Sequence, residues 1–284
     1  MKVKIVFWSP VHGQAGTTSN LLTISILMGL LYEKKCLLTH THFTLNNLEA
    51  PLVGSNSKDV ETSSFFQDVG LDALIRNFKA AKLKQEDIEN CCISFPDIHL
   101  CLLPGTSKRN RISFEYEMDL LVLSLLKNME ESMDIVFVDL CSGHNSLSSK
   151  IISEADLTVI NLSQNIELMD TYFSSFEKVL PGNKFYLIGN YDSKSKYNLN
   201  NLQRRYRKYI KTNNSGVIPY NTAFLDALND GRIIDFVKDN LRCEKGDENL
   251  CYIFEAKKAT EKIYRFVERI GAKGERGNPY VVST

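Results

Sequence analysis

Ile5-Val6-Phe7-Trp8-Ser9-Pro10-Val11-His12-Gly13-Gln14-Ala15-Gly16-Thr17-Thr18-Ser19 is the stretch whose reading decides the fold. The apolar run from Val3 to Trp8 predicts a buried strand. Thr18 to Leu31 predicts an apolar helix, and a glycine-containing turn joins the two. Strand, Gly-rich loop and helix in that order can cradle a phosphate, because backbone N–H groups and the positive end of the helix dipole face one anion. The common phosphate-binding pattern is G-x-x-x-x-G-K-[ST]. Gly16 and Thr18 fit it, but Thr17 stands in the lysine position. On these residues alone, a plain tight turn explains the stretch more simply than a phosphate site.

Working outward, strand and helix patterns alternate along the chain. Cys36 to Thr41, Cys92 to Phe95, Leu100 to Leu103, Ile135 to Leu140, Asp156 to Leu162, Phe185 to Asn190 and Gly216 to Ile218 read as strands. Gly70 to Phe78, Glu86 to Cys91, Glu115 to Met129, Ser146 to Ser153, Glu167 to Val179 and Asn200 to Lys211 read as helices. In Glu115 to Met129 the apolar residues Met118, Leu121, Val122 and Leu125 recur at helical spacing. Ile135 to Leu140 is continuously apolar, as a strand buried on both faces should be. Phe43 to Val53 reads as a connection, Gly54 to Ser64 as a mobile polar loop, and Ser107 to Ser113 as a polar loop. Such alternation predicts an α/β fold: a single doubly wound, mainly parallel sheet with helices on both faces and a ligand at the carboxyl ends of the strands. One domain is expected over residues 1–270, with a flexible tail over 271–284.

The chain has 284 residues, with 34 Lys plus Arg against 34 Asp plus Glu, so it carries no net charge. That balance excludes the strongly basic global field behind nonspecific nucleic-acid binding. No apolar run is long enough for a membrane-spanning helix, and Trp8-Ser9-Pro10 interrupts the N-terminal apolar run too early for a signal peptide. Seven cysteines, an odd number, predict reduced and mostly buried thiols in a cytoplasmic protein. Ala256 to Ile270 reads as an amphipathic closing helix with Ile263, Phe266, Val267 and Ile270 on one side; a membrane-surface helix is the sharper alternative. Arg204 to Tyr209 is basic with interleaved tyrosines. A solvated helix face is favoured there over a nucleic-acid contact.

Six segments, in order, carry a family resemblance. His12 to Ser19 resembles the deviant P-loop of the ParA/MinD family, KGGxGKT, with His12 in place of the signature lysine and Thr17 in place of the phosphate-binding lysine. Cys36 to His42 resembles the family's second strand, whose usual Asp-x-Asp end has become His40 and His42. Asp134 to Gly143 resembles the Walker B strand and switch II, with Asp139 kept. Phe185 to Asp192 resembles the strand whose Asn contacts adenine, here Asn190. Ile218 to Asn221, followed by Ala227 to Gly231, resembles the late "IP…A…G" segment. Gly70 to Leu74 and Leu102 to Gly105 also match, so the resemblance spans about residues 3 to 268. The atypical pilus-localisation branch (TadZ/CpaE-like) is the part of the family expected to tolerate such losses.

The resemblance implies a nucleotide site made of Gly13, Gln14, Ala15, Gly16, Thr17, Thr18 and Ser19, with Asn190 and Pro219 lining an adenine slot. It implies Mg²⁺ at Thr18, whose hydroxyl would meet the ion, and at Asp139, which would hold it through water. Thr17 brings no charge to the phosphates, and His42 stands where a carboxylate would polarise water. Lost electrostatic partners of this kind cost on the order of 10²–10³ in rate. The expected protein therefore binds ATP and Mg²⁺ weakly or not at all, has no efficient ATPase activity, and forms a homodimer. It would act with partners of a localisation, pilus or secretion machinery, in the cytoplasm or peripherally at a membrane or cell pole. Two alternatives stay open: an active ATPase for DNA or plasmid partitioning, and a scaffold that binds no nucleotide. His12, His40, His42 and His144 all fall on strand-end segments, so they either fill space once used by charged groups or form a metal or pH-gated anion site. His40 and His42 alternate along a strand and should share a face.

Overall fold

The computed structural model describes residues 2–43, 48–54 and 68–275. Its strands are β1 (Val3–Trp8), β2 (Cys36–His40), β3 (Ile93–Phe95), β4 (Leu100–Leu102), β5 (Ile135–Asp139), β6 (Leu157–Leu162), β7 (Lys184–Tyr191) and β8 (Ser215–Pro219). They form one eight-stranded sheet in the order β3-β4-β2-β5-β1-β6-β7-β8. β5 lies between β1 and β2 and pairs in parallel with both: Val3 pairs with Ile135, and Cys36 pairs with Ile135 from the other side. All pairs are parallel except β3 with β4. That exception has a simple cause. Only a short 3₁₀ turn, Pro96–Ile98, and His99 separate the two strands, and His99 takes φ 49. A parallel crossover needs a dozen or more residues, so the chain can only fold back as a hairpin.

The helices are α1 (Thr17–Tyr32), α2 (Glu49–Val53), α3 (Leu71–Ala80), α4 (Gln85–Asn90), α5 (Arg111–Ser132), α6 (Ser146–Ser153), α7 (Ile166–Thr171), α8 (Leu199–Arg205), α9 (Thr222–Asn229), α10 (Ile233–Asn240) and α11 (Leu250–Glu275). Each central strand feeds two cores, because successive side chains leave opposite faces. Val6, Trp8, Val136 and Val138 join α3 to α8 on one face. Val3, Ile5, Phe7, Ile135 and Phe137 join α1, α2 and α9 to α11 on the other. Helix α1 is buried almost all round, which explains why its sequence shows no polar stripe. Its Gly29 lies so close to the turn before β4 that a Cβ there would meet Ile98 O at 1.9 Å.

Several expectations need correction. Helix α2 lies inside the presumed connection, and α9 and α10 were not foreseen. The helix expected over Glu167 to Val179 is α7 continued by one π-helical turn, Tyr172–Phe176. Helix α8 ends at Arg205 because Tyr206 and Tyr209 leave the helix to stack on Phe173, at ring-centroid distances of 4.5 and 5.0 Å. The tyrosines of the basic run thus serve the core, while Arg204, Arg205, Arg207 and Lys208 face solvent. Helix α11 begins before Ala256 and continues to Glu275, past the Ile270 limit expected for it. Ile263 and Val267 are buried, so α11 closes the sheet rather than offering an apolar face to a membrane. No described helix is long and apolar enough to cross a membrane. The thiols are less buried than expected: Cys36, Cys91 and Cys101 are buried, but Cys92, Cys141, Cys243 and Cys251 are partly or fully exposed. Residues 55–67, which hold most of the Gly54 to Ser64 loop, and residues 276–284 of the tail lie outside the described residues.

Candidate nucleotide site

The loop from Ser9 to Gly16 leaves the carboxyl end of β1, between β5 and β6, and enters α1. Gly13 (φ 75) and Gly16 (φ 62) adopt left-handed conformations that side-chain-bearing residues rarely take. Gly16 is the N-cap of α1, so the free N–H groups of a 16-residue helix open at this point. His12, Gly13 and Gln14 are exposed, Ala15 is buried, and Gly16 to Ser19 are half-buried.

Two asparagines that the sequence reading missed brace this loop. Asn20 Nδ2 donates to Ala15 O and to Asn161 Oδ1, both at 2.9 Å. Asn161 Nδ2 in turn donates to Val159 O at 3.1 Å. Both residues are buried; Asn161 interrupts the apolar run of β6, which was the available signal, whereas Asn20 only continues the polar Thr17-Thr18-Ser19 start of α1. Gly189 presses on the same loop, since a Cβ there would meet Ala15 O at 2.1 Å. The neighbouring Asn190 (φ 48) puts its side chain beside Gly16, whose own Cβ would stand 3.7 Å from Asn190 Oδ1. Pro219 pairs with Tyr191 across the sheet edge and lines a cavity of about 750 Å³ with Tyr220, Asn221 and Tyr252. The fold therefore brings Asn190 against Gly16 of the loop, while Pro219 lines the cavity that Tyr191, the residue after Asn190, also lines.

Solved structures with this arrangement of strands and helices carry names. The septum site-determining protein MinD of Pyrococcus horikoshii OT3, complexed with Mg-ADP, superposes with a TM-score of 0.68 at 14% identity, over 95% of this chain and 99% of that one. The fold is that of the MinD and ParA ATPases. A ParA family ATPase from Chlorobium tepidum TLS gives 0.67 at 12% identity, over 92% and 99% of the two chains. MinD in the MinC:MinD cell division complex of Aquifex aeolicus gives 0.58 at 15%, over 93% and 96%. No protein-family model matches the sequence, and no curated protein matches it.

On this MinD/ParA fold, the Mg²⁺ position can be tested against the side chains present. Thr18 Oγ1 donates to Asp139 Oδ2 at 2.6 Å, and Asp139 Oδ1 is buried without a partner. An unpaired carboxylate oxygen beside a hydroxyl suits a hydrated Mg²⁺: Thr18 would be the ligand, and Asp139 would accept from a water of the ion.

The histidines do not form one cluster. His40 lies sealed inside, its Nε2 at 3.0 Å from Glu49 Oε1, and Gly105 N donates to the same oxygen at 2.8 Å. Strand β2 ends at His40, so His42 is no longer on the strand. Its ring lies 5.8 Å from that of His40 but serves other partners. His42 Nδ1 is 3.6 Å from Cys141 Sγ, and Nε2 is 3.5 Å from Asp139 Oδ2, a charge contact without hydrogen-bond geometry. Burial would lower the pKa of this ring, but Asp139 and Cys141 outweigh it and raise it to about 10. Burial likewise opposes the Cys141 thiolate, yet His42 brings its pKa below the ordinary thiol value. A carboxylate thus accompanies His40 and His42, Glu49 for the first and Asp139 for the second. His12 lines a cavity with His42, whereas His144 is exposed in the loop before α6. Among the described residues, no three or more His, Cys, Asp or Glu side chains converge as a metal site.

Proposed function

We propose that this chain is a nucleotide-responsive localisation or assembly factor that holds adenine nucleotide weakly and hydrolyses it negligibly. The observation carrying this reading is the Thr18–Asp139–His42 arrangement. Thr18 and Asp139 keep the means to support Mg²⁺. Backbone N–H groups of Gly13 to Thr18 and the α1 N-terminus can meet phosphates, and Asn190 and Pro219 can flank a base. With a pKa near 10, His42 is charged at neutral pH and cannot accept a proton from an attacking water. Phosphoryl transfer also needs positive charge on the transferring group, and Thr17 supplies none. The expected result is no phosphate release from ATP and Mg²⁺ above that of a Gly16→Arg variant, whose loop is blocked. Sustained release by the wild type would instead support the partitioning-ATPase alternative.

The active form in this reading is a two-fold dimer with the Gly13–Thr18 loops facing each other and His12 at the contact. The Aquifex MinD relative is paired with MinC, which supports a protein partner here too, of a pilus, secretion or other localisation machinery. Such partners would place the chain in the cytoplasm or peripherally at a membrane or pole. Light scattering should show the dimer in ATP and Mg²⁺; monomer alone, with and without nucleotide, would remove this part of the proposal.

A further inference from the structure

The loop that enters α1 is held from behind by a chain of hydrogen bonds whose direction is fixed by chemistry. Asn161, fully buried near the end of β6, donates from Nδ2 to Val159 O at 3.1 Å and to Trp8 O at 3.4 Å. A carbonyl oxygen only accepts, so these two contacts leave Asn161 with its Oδ1 turned to Asn20. Asn20, itself 2% exposed, must then present its own Nδ2, and it uses both hydrogens there: one to Asn161 Oδ1 and one to Ala15 O, each at 2.9 Å. Ala15 O is confined further by Gly189, where a Cβ would meet it at 2.1 Å and Asn20 Nδ2 at 2.7 Å. In a trans peptide the carbonyl and the following N–H point in opposite directions, and no peptide bond among the described residues is cis. With Ala15 O drawn inward, the Gly16 N–H points away from Asn20, towards the open side of the loop. Among the described residues it has no acceptor.

We propose that Asn20, oriented by Asn161, is a positioning residue that aims the Gly16 N–H at a phosphate of the bound nucleotide; the assignment rests on the nucleotide site proposed above. The need for such a device lies in Gly16 itself. Without a Cβ it tolerates either sense of the Ala15–Gly16 peptide. The flipped peptide would turn the Ala15 carbonyl, the negative end of its dipole, towards an anion. This loop has no lysine to offset that error, since Thr17 is neutral. Backbone N–H groups are the means by which it meets a phosphate, so a misdirected one is not compensated. Asn20 acts through Ala15, from the buried side of the loop.

The sequence supplies a reporter for this peptide. Ala15-Gly16 is the only Ala-Gly step in the chain, so alanine labelled with ¹³C at its carbonyl and glycine labelled with ¹⁵N give a single coupled NMR signal. The full chain is titrated with inorganic phosphate and then with Mg-ADP, while calorimetry measures the affinity. In the wild type the Gly16 amide proton should move downfield as either ligand binds, as an N–H does on meeting an anion. This arm needs no variant. Asn20→Ser is too short to reach Ala15 O. It should weaken Mg-ADP binding about tenfold, as for one charge-assisted hydrogen bond, and abolish the downfield shift. Thr23→Val removes a different buried bond of α1, that between Thr23 Oγ1 and Tyr252 Oη at 2.7 Å, and should leave the affinity unchanged. Three results would overturn the positioning role and leave the nucleotide site standing: Mg-ADP binding with the Gly16 signal unmoved, Asn20→Ser binding as tightly as the wild type, or Thr23→Val weakening binding as much as Asn20→Ser. No binding of either ligand by the wild type would overturn the nucleotide site, and the positioning role with it.

Discussion

Glu49→Ala is expected to lower the unfolding free energy by about 3–5 kcal/mol, read from denaturant titration at neutral pH. The Glu49 carboxylate is 6% exposed and the His40 side chain fully buried. Removing the carboxylate leaves the His40 Nε2 and Gly105 N–H without their common acceptor, inside the protein, where an unmade bond costs the whole desolvation of the group. No side chain can fill the gap from the other side: a Cβ on Gly105 would meet the His40 ring at 2.5 Å. Burial alone would raise the Glu49 pKa, but the His40 and Gly105 donors prevail and lower it from 4.5 to about 2. A depressed carboxyl pKa contributes stability that is complete above the unfolded value and disappears as pH falls through the folded one. The gap between wild type and Glu49→Gln should therefore be constant above pH 4.5 and close between 4.5 and 2, a change of about 3 kcal/mol. A gap that stays the same across that window, or a loss under about 1 kcal/mol for Glu49→Ala, would show that this buried pair does not hold β2, α2 and the 103–106 segment together.

Thr17→Lys should tighten ATP binding by tenfold to a hundredfold, on the order of 1.5–3 kcal/mol for one charge-assisted bond. Thr17 is the first residue of α1, directly after the left-handed Gly16, so a lysine there starts from the mouth of the loop. The surrounding brace of Asn20, Asn161 and Gly189 does not involve the Thr17 side chain, and the loop should survive the change. Calorimetry with Mg²⁺ present measures the gain. Phosphate release should stay at background, because His42 remains charged beside Asp139. An unchanged affinity would mean that the loop is no phosphate cradle, and the scaffold alternative would take its place.

The two experiments bear on two histidines that stand at the end of β2 and just beyond it. His40 and His42 look equivalent in sequence, two residues apart at one strand end. In the structure one is a sealed hydrogen-bond partner that ties segments together, and the other sits at the mouth of the site against Asp139 and Cys141. Replacing His40 should therefore act on stability, and replacing His42 on the chemistry of the crevice.

Much of the fold was legible from local pattern. The mainly apolar runs at Val3–Trp8, Cys36–Thr41 and Ile135–Leu140 pointed to buried strands, since a strand with one wet face must alternate. The two glycines before Thr17 marked the loop, because their positive φ is costly for other residues. The hairpin of β3 and β4 was also readable, in the few residues between them, but the general alternation of strand and helix overrode that local cue. Helices α2, α9 and α10 are short and carry a weaker period, so their apolar residues did not stand out. What only the tertiary structure decided was partnership. Nothing local announces that Glu49 will meet His40, that Asp139 and Cys141 will grip His42 from two sides, or that Asn161 will reach Asn20. Periodicity fixes which way a side chain points, because that depends on neighbouring dihedrals. Its partner depends on which distant segments the strand order lays side by side, and that order is set by the packing of the whole sheet.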